Sequence, residues 1–198
     1  VTSDDIEARL EPVYKALHFQ KGQLEALTGI RERRFWDPGY SMHEGAIKAG
    51  QKAIDAASVS PEQIGMLIYG GVCRDNLEPA TACAVSNGLG LGPKTQIYDV
   101  SNACLGVLNG MILTANAIAL GQIEAGLIVS CESARQIVDF TIERLLEAKD
   151  MDLFKQTIAT LTGGSGAVAV LLTDASVSDT GHRLLGGVLR NATVHHKL

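Results

Sequence analysis

The sequence lacks the features that mark several large classes of protein. No apolar run approaches the roughly 20 residues that a membrane-spanning helix needs, and no basic-then-apolar segment of the signal-peptide type opens the chain. Cationic residues do not predominate, since 17 Lys and Arg stand against 22 Asp and Glu for a net charge of −5. These absences exclude a nucleic-acid binder of the usual electrostatic kind and lead us to expect a cytoplasmic protein.

Cysteine is scarce as well. The four cysteines, Cys73, Cys83, Cys104 and Cys131, form no Cys-x-x-Cys pair, so neither a disulfide framework nor a metal site is indicated. Hydrophobic residues make up 46% of the chain and charged residues 20%, which is typical of a globular protein with a substantial core. Without repeats or an evident linker, one domain over 1–198 is the simplest division.

Apolar spacing predicts the secondary structure. Helices are predicted over 3–17, over a short stretch that ends at Thr28, and over 42–57 and 139–158. Strands buried on both faces are predicted at 66–69, 97–100, 126–130 and 167–172. Segment 104–120 is apolar nearly all round, which predicts a helix buried between two layers. The alternation of strands and helices predicts an α/β fold with a mostly parallel sheet.

Cys104 is the strongest candidate for chemistry because of its predicted position. Asp99 and Val100 close a predicted strand, and Cys104 follows at the turn into the apolar helix. The positive end of a helix dipole favours a thiolate at such a place, and backbone N–H groups at the turn can stabilise an oxyanion. From position alone, a small buried hydrophobic residue explains Cys104 equally well.

Four stretches resemble, in order and spacing, the thiolase-fold condensing enzymes, especially 3-oxoacyl-[acyl-carrier-protein] synthase III and its relatives. The segment D-V-S-N-A-C-L-G-V-L-N-G-M resembles their nucleophile segment. The others are T-G-I-R-E-R-R at 28–34, R-D-N-L-E-P-A-T-A at 74–82 and G-G-S-G-A-V-A-V-L-L at 163–172. The resemblance implies a thiolase-like fold, of which this chain is the N-terminal α-β-α half of a five-layered α-β-α-β-α architecture, without its first strand.

Within that superfamily, R-D-x-L-E-P-x-T followed by N-A-C-L most resembles the OleA-type enzymes, which join two long-chain acyl-CoA molecules head to head. The resemblance implies that Cys104 carries an acyl group as a thioester. It also implies that Glu78, 26 residues earlier, reaches across a homodimer interface and removes an α-proton from the second acyl chain. From the residues alone, an acid at a helix start, ahead of Pro79, explains Glu78 as well.

Further residues are expected to contact the CoA thioester substrate. Arg31, Arg33 and Arg34 suit CoA phosphates or a carrier-protein helix, because a guanidinium group pairs well with phosphate. An ion-paired surface is the alternative explanation for these arginines. The other expected contacts are Asn102 and the glycines Gly164 and Gly166.

The resemblance also implies what this chain needs from elsewhere. Related enzymes complete the site with a His and an Asn from a C-terminal half, and none of the five histidines here lies in a segment of that kind. We therefore expect this half alone not to condense acyl groups. The implied partners are acyl-CoA, or an acyl-carrier protein, with no bound cofactor. A decarboxylative synthase III that uses malonyl-carrier protein and a non-catalytic scaffold are the alternatives.

Overall fold

The computed structural model describes residues 1–178 and 180–196, apart from the side chain of His195. The predicted domain, 1–198, therefore also includes positions 179, 197 and 198, which lie outside the described residues.

Helices and strands alternate along most of the described chain. The helices are α1 (Ser3–Arg9), α2 (Glu11–Ala16), α3 (Gln23–Thr28), α4 (Met42–Ala57), α5 (Thr81–Gly88), α6 (Gly106–Ala119), α7 (Arg135–Ala148) and α8 (Met151–Thr157). The strands are β1 (Ile64–Gly70), β2 (Gln96–Val100), β3 (Ala125–Glu132) and β4 (Gly166–Thr173). All four predicted strands are confirmed, with one or two further residues at every end but one.

The four strands form one sheet in the order β2-β1-β3-β4. Strand β1 pairs in parallel with β2 and β3, whereas β4 runs antiparallel to β3, so the predicted mostly parallel sheet is confirmed. The register places Gly70 opposite Val100 and Glu132 opposite Gly166. The carboxyl ends of β1, β2 and β3 and the amino end of β4 therefore meet at one edge of the sheet, which we call the carboxyl edge.

Helices cover both faces of the sheet and give an α-β-α arrangement. Alternate residues of β1 face opposite ways, so Leu67 and Tyr69 pack with α4 and α5 whereas Met66 and Ile68 pack with α6. Each fully buried side chain of this size contributes about 1.5–3 kcal/mol relative to an exposed one. A separate apolar cluster joins α1, α2 and α3 to α7 and α8.

Two predicted helices are wrong as single elements. The helix over 3–17 divides at Leu10, because Pro12 has no N–H to continue the ladder and lies instead in the first turn of α2. The helix over 139–158 divides at Lys149, whose φ of 47° ends α7, and Asp150 then accepts a hydrogen bond from Leu153 N–H to cap α8. Helix α5 is an element that apolar spacing did not predict.

Burial also departs from the prediction at three elements. Strands β1 and β3 are buried on both faces, but β2 and β4 are partly exposed, because they lie at the two edges of the sheet. Helix α6 packs on the sheet through small residues such as Gly110 and Thr114. Its outer leucines, Leu108 and Leu113, are 52% and 49% exposed, since no second layer covers them among the described residues.

No helix in the described ranges is both long enough and apolar enough to span a membrane.

Candidate active site

The residues predicted to carry chemistry come together at the carboxyl edge of the sheet. Strand β2 ends at Val100 and Cys104 follows in a short 3₁₀ turn, Ala103–Leu105, that leads directly into α6. Strand β1 ends at Gly70 and leads into the segment 71–80, which contains Glu78. In open α/β sheets, ligands bind outside the carboxyl ends of the strands. The fold thus directs both candidate catalytic residues to the edge where a substrate is expected.

The turn that carries Cys104 has two unusual features. Ala103 has a φ of 44°, a left-handed conformation that is strained for a residue with a Cβ and is often found at functional sites. Gly70 and Gly106 approach backbone to backbone, since a Cβ on Gly70 would lie 2.7 Å from the Gly106 carbonyl carbon. The turn is predictable from the sequence, whereas this contact, which fixes the start of α6 on the sheet, is not.

Exposure separates Cys104 from two of the other cysteines. Burial raises the pKa of Cys131 to about 12, and it raises the pKa of Cys73 as well, so both thiols are protonated and poor nucleophiles at neutral pH. Cys83 and Cys104 are exposed. Of the two, only Cys104 lies at the carboxyl edge directly before a long helix, where a substrate can reach it. The thiol geometry therefore favours a nucleophile over a buried hydrophobic residue.

Glu78 lies on an exposed loop rather than in a helix. Its carboxylate makes no hydrogen bond or ion pair within the described part of the chain, and the preceding Leu77 is 93% exposed. Helix α5 begins only at Thr81, so Glu78 does not cap it. No hydrogen bond joins Glu78 to Cys104 among the described residues.

Three carboxylates around this loop are the functional candidates that sequence analysis missed. Glu132 and Asp99 accept hydrogen bonds from backbone N–H groups at the two ends of the loop 71–80, and Asp75, within the loop, accepts them from the first N–H groups of α4. Asp99 was the easiest of them to infer from the sequence, because it lies near the end of the strand that leads to the cysteine turn. Glu132 and Asp75 accept hydrogen bonds from residues that are far away in sequence, and no local sequence pattern indicates such contacts.

The three predicted phosphate-binding arginines do not share one surface. Arg31 and Arg34 are exposed, whereas Arg33 is only 7% exposed and its Nη2 donates to Ser3 Oγ at 3.1 Å. Burial lowers the pKa of Arg33, against the opposing attraction of Asp5. Arg33 therefore braces the N-terminal segment in this chain, and a solvated phosphate contact is left to Arg31 and Arg34.

The remaining predicted contacts lie near the same edge. Asn102 is exposed and donates from Nδ2 to Asn109 Oδ1 at 2.6 Å, which ties the cysteine turn to α6. Gly164 lies beside the arginine segment, since a Cβ there would be 3.5 Å from the Arg34 carbonyl oxygen. Gly166 begins β4 with open space where a side chain would be. Their contacts with substrate stay predictions. No cluster of potential metal ligands occurs among the described residues.

Comparison with known proteins identifies the family. The thiolase N-terminal domain matches residues 40–150, which include β1, the Glu78 loop, the cysteine turn and α6. The chain belongs to the thiolase N-terminal domain family. This confirms the resemblance on which the condensing-enzyme expectation was based.

Two of the matching proteins are similar to this chain along its whole length. The chain is 52% identical over 201 residues to the acyl-CoA:acyl-CoA alkyltransferase of Shewanella oneidensis, covering 100% of this chain and 58% of that protein. It superposes with a TM-score of 0.91 and 36% identity on Xanthomonas campestris OleA, in a cysteine-to-serine variant with bound lauric acid and lauroyl-CoA. That match covers 100% of this chain and 59% of the OleA chain. The thiolase-like fold is thereby confirmed.

A second solved structure bears on the spacing of the two candidate catalytic residues. It is an OleA variant in which a glutamate is replaced by alanine, bound with cerulenin, and it matches with a TM-score of 0.90 and 36% identity over 100% of this chain and 59% of that chain. The glutamate replaced there precedes the cysteine replaced in the lauroyl-CoA complex by 26 positions. Glu78 and Cys104 are separated by the same number of positions.

Proposed function

We propose that the protein containing this chain is an acyltransferase that joins two fatty acyl-CoA molecules by Claisen condensation without decarboxylation. The observation that supports this most directly is the exposed Cys104 at a strained turn before α6, with a glutamate 26 residues earlier at the same sheet edge. The same pair of residue types at the same spacing has been substituted in OleA.

The first proposed step is acylation of Cys104. The Cys104 thiolate attacks the carbonyl carbon of an acyl-CoA thioester, a new carbon–sulfur bond forms, and CoA leaves as a thiolate that takes up a proton. The dipole of α6 favours both the attacking thiolate and the developing oxyanion. A His and an Asn from a C-terminal half, which the resemblance implies, are proposed to complete the oxyanion site, and this chain spans 58% of its Shewanella relative.

The second proposed step is condensation. Glu78 removes a proton from Cα of a second acyl-CoA, and the carbanion attacks the Cys104-bound acyl carbonyl. The thiolate of Cys104 is expelled, and a β-ketoacyl-CoA is released. A base is needed here because no CO2 is lost to generate the carbanion, and desolvation of a carboxylate in an acyl channel raises its basicity.

We also propose that Glu78 acts across a homodimer interface. Within one chain the Glu78 carboxylate has no partner among the described residues, and Leu77 beside it is almost fully exposed. An exposed apolar residue next to an unpaired acid suits insertion into the acyl channel of a second copy.

We propose a cytoplasmic location for the protein, because it fits acyl-CoA as the substrate and four cysteines that form no disulfide.

Intact-mass analysis of the protein incubated with lauroyl-CoA tests both steps. We expect a lauroyl adduct on Cys104 and a released β-keto product without any malonyl donor. Cys104→Ala abolishes the adduct, whereas Glu78→Gln retains it and slows condensation by about 100-fold or more. Condensation that requires malonyl-carrier protein would instead identify a decarboxylative synthase, and the absence of an adduct with every acyl donor would identify a scaffold.

Mixing the two inactive variants tests the dimer. If Glu78 acts in trans, a dimer of one Cys104→Ala and one Glu78→Gln protomer contains one complete site. Random reassociation of equal amounts then restores roughly a quarter of the wild-type condensation rate. If the mixed variants exchange subunits but the condensation rate does not recover, Glu78 acts on the cysteine of its own chain.

A further inference from the structure

The loop 71–80, which we call the Glu78 loop, is held at its start by the end of strand β3. Glu132 Oε1 accepts a hydrogen bond from Val72 N–H at 2.7 Å and a longer one from Cys73 N–H at 3.4 Å. Gly71 permits this, because a Cβ at that position would collide with Glu132 Oε1. Cys73 Sγ also donates to Ser133 O at 3.5 Å. The first residues of the loop are therefore tied to β3.

The far end of the loop is held by strand β2. The two carboxylate oxygens of Asp99 accept hydrogen bonds from Thr81 N–H and Ala82 N–H, each at 2.9 Å, and its side chain is only 8% exposed. These N–H groups are the first of α5, which lacks a side-chain cap of its own. Asp99 lies on β2, five residues before Cys104, which follows in the turn after that strand. One carboxylate thus connects the Glu78 loop to the strand that leads to the nucleophile.

The middle of the loop is held by helix α4. Asp75 accepts hydrogen bonds from Met42 N–H at 2.8 Å and His43 N–H at 2.9 Å, and it contacts His43 Nδ1 at 2.6 Å. The loop residue therefore caps a helix in which Ser41, at the N-cap position, makes no side-chain cap bond. Between these anchors and α5, Glu78 has no partner of its own among the described residues.

We propose that Glu132 and Asp99 are positioning residues that hold the Glu78 loop rigid on the sheet of its own chain, so that the Glu78 carboxylate is presented in one fixed position to the acyl channel of the second copy. This inference rests on the proposed role of Glu78 as the base. A base on an exposed loop abstracts a proton efficiently only if the loop is rigid, since a displacement of about 1 Å can cost about 100-fold in rate. Hydrogen bonds from backbone N–H groups to carboxylates are strong enough to provide this rigidity.

The test separates the two steps of the reaction in Asp99→Asn and Glu132→Gln. We expect Cys104 acylation within about twofold of wild type and condensation slowed by about tenfold or more. In a Glu78→Gln background, the same changes slow condensation by no more than about twofold further, because there is no base left to misplace. The matched control is Asp150→Asn, which changes another helix-capping carboxylate, on α8, and leaves both rates unchanged.

Hydrogen exchange gives a readout that does not depend on activity. Amide exchange at Val72 and Cys73 becomes faster in Glu132→Gln, and exchange at Thr81 and Ala82 becomes faster in Asp99→Asn, while Asp150→Asn affects neither pair. Unchanged exchange at these amides would overturn the anchoring. Equal slowing of acylation and condensation in Asp99→Asn or Glu132→Gln would also overturn it. So would a double variant with Glu78→Gln in which condensation is slowed, relative to Glu78→Gln, by the same factor that Asp99→Asn or Glu132→Gln causes alone.

Failure of this inference is distinguishable from failure of the proposed function. If Glu78→Gln blocks condensation but the anchor variants condense at the wild-type rate, only the positioning role is wrong. If Glu78→Gln itself condenses at the wild-type rate, the base role and the positioning role fall together.

Discussion

Helices α4 and α6 cover opposite faces of the same sheet, yet their outer surfaces differ. Helix α4 turns charged and polar residues such as Lys52 and Asp55 outward, as a helix facing water does. Helix α6 turns leucines outward, among them Leu108 and Leu113. The difference indicates that α4 is an outer layer and that α6 is an inner layer, as the five-layered architecture predicts.

The two helices also meet the sheet differently. Helix α6 touches β1 backbone to backbone at Gly70 and Gly106, whereas α4 meets β3 through side chains around Gly50. A rigid contact holds the start of α6, two residues after Cys104. A deformable one holds α4, which carries no candidate catalytic residue.

The largest loss of stability and activity is therefore expected when a methyl group is added at the contact between α6 and the sheet. In Gly106→Ala the new Cβ lies 2.8 Å from the Gly70 carbonyl carbon, and backbone cannot rotate away. We expect a loss of about 3 kcal/mol in unfolding free energy and acylation of Cys104 slowed by about tenfold or more.

The matched substitution on the α4 side is Gly50→Ala. Its Cβ meets a Leu89 methyl group at 3.0 Å, which can shift, and alanine favours a helix over glycine by about 1 kcal/mol. We expect stability within about 1 kcal/mol of wild type and unchanged acylation. Denaturant unfolding and intact mass measure both, and equal damage from the two alanines would contradict the contrast.

An intermediate effect is expected at the outer faces of the two helices. In the intact protein, Leu113→Glu places a charge where a further layer is proposed to pack, so we expect a loss of about 2 kcal/mol. Lys52→Glu on α4 stays solvated and changes stability by less than about 0.5 kcal/mol. Thermal unfolding of the two variants compares them, and equal stability would mean that α6 also faces water.

The smallest effect concerns how α4 begins. Burial of Asp75 alone would raise its pKa, but hydrogen bonds from the N–H groups of His43 and Met42, and the His43 ring, hold the pKa below the ordinary value of an aspartate. A pKa lowered on folding means stability that is present above the unfolded value and lost as the pH falls through the folded value.

We therefore expect the melting temperature of the wild type to fall more steeply than that of Asp75→Asn as the pH is lowered below about 4. If the melting temperatures of the two proteins change in parallel between pH 3 and 6, the Asp75 cap does not contribute to the stability of the folded protein.

Local patterns predicted much of this fold. The strands were readable because β1 and β3 are buried on both faces and the other two strands are largely apolar. The cysteine turn was readable because a strand ends and an apolar helix starts within a few residues. The breaks at Leu10 and Lys149 were missed because apolar spacing continues through them, although Pro12 and Asp150 are local signals for both.

The support of the site was not predictable in this way. Glu132 and Val72 are 60 residues apart, and Arg33 is buried against Ser3 rather than lying with its neighbours on a surface. Such contacts depend on how the chain returns to the carboxyl edge, which apolar spacing does not encode. The Gly70–Gly106 contact has the same origin, since each glycine alone reads as an ordinary turn residue.

Strand β4 has a consequence for handling the protein. It lies at one edge of the described sheet, and its sequence, A-V-A-V-L-L, contains neither charge nor proline. An uncharged edge strand with high β propensity can pair with an identical strand of another molecule. Preparations of this region by itself are therefore expected to self-associate through β4, and a lysine at Val168, which is 48% exposed, is the single change best suited to keep them monodisperse.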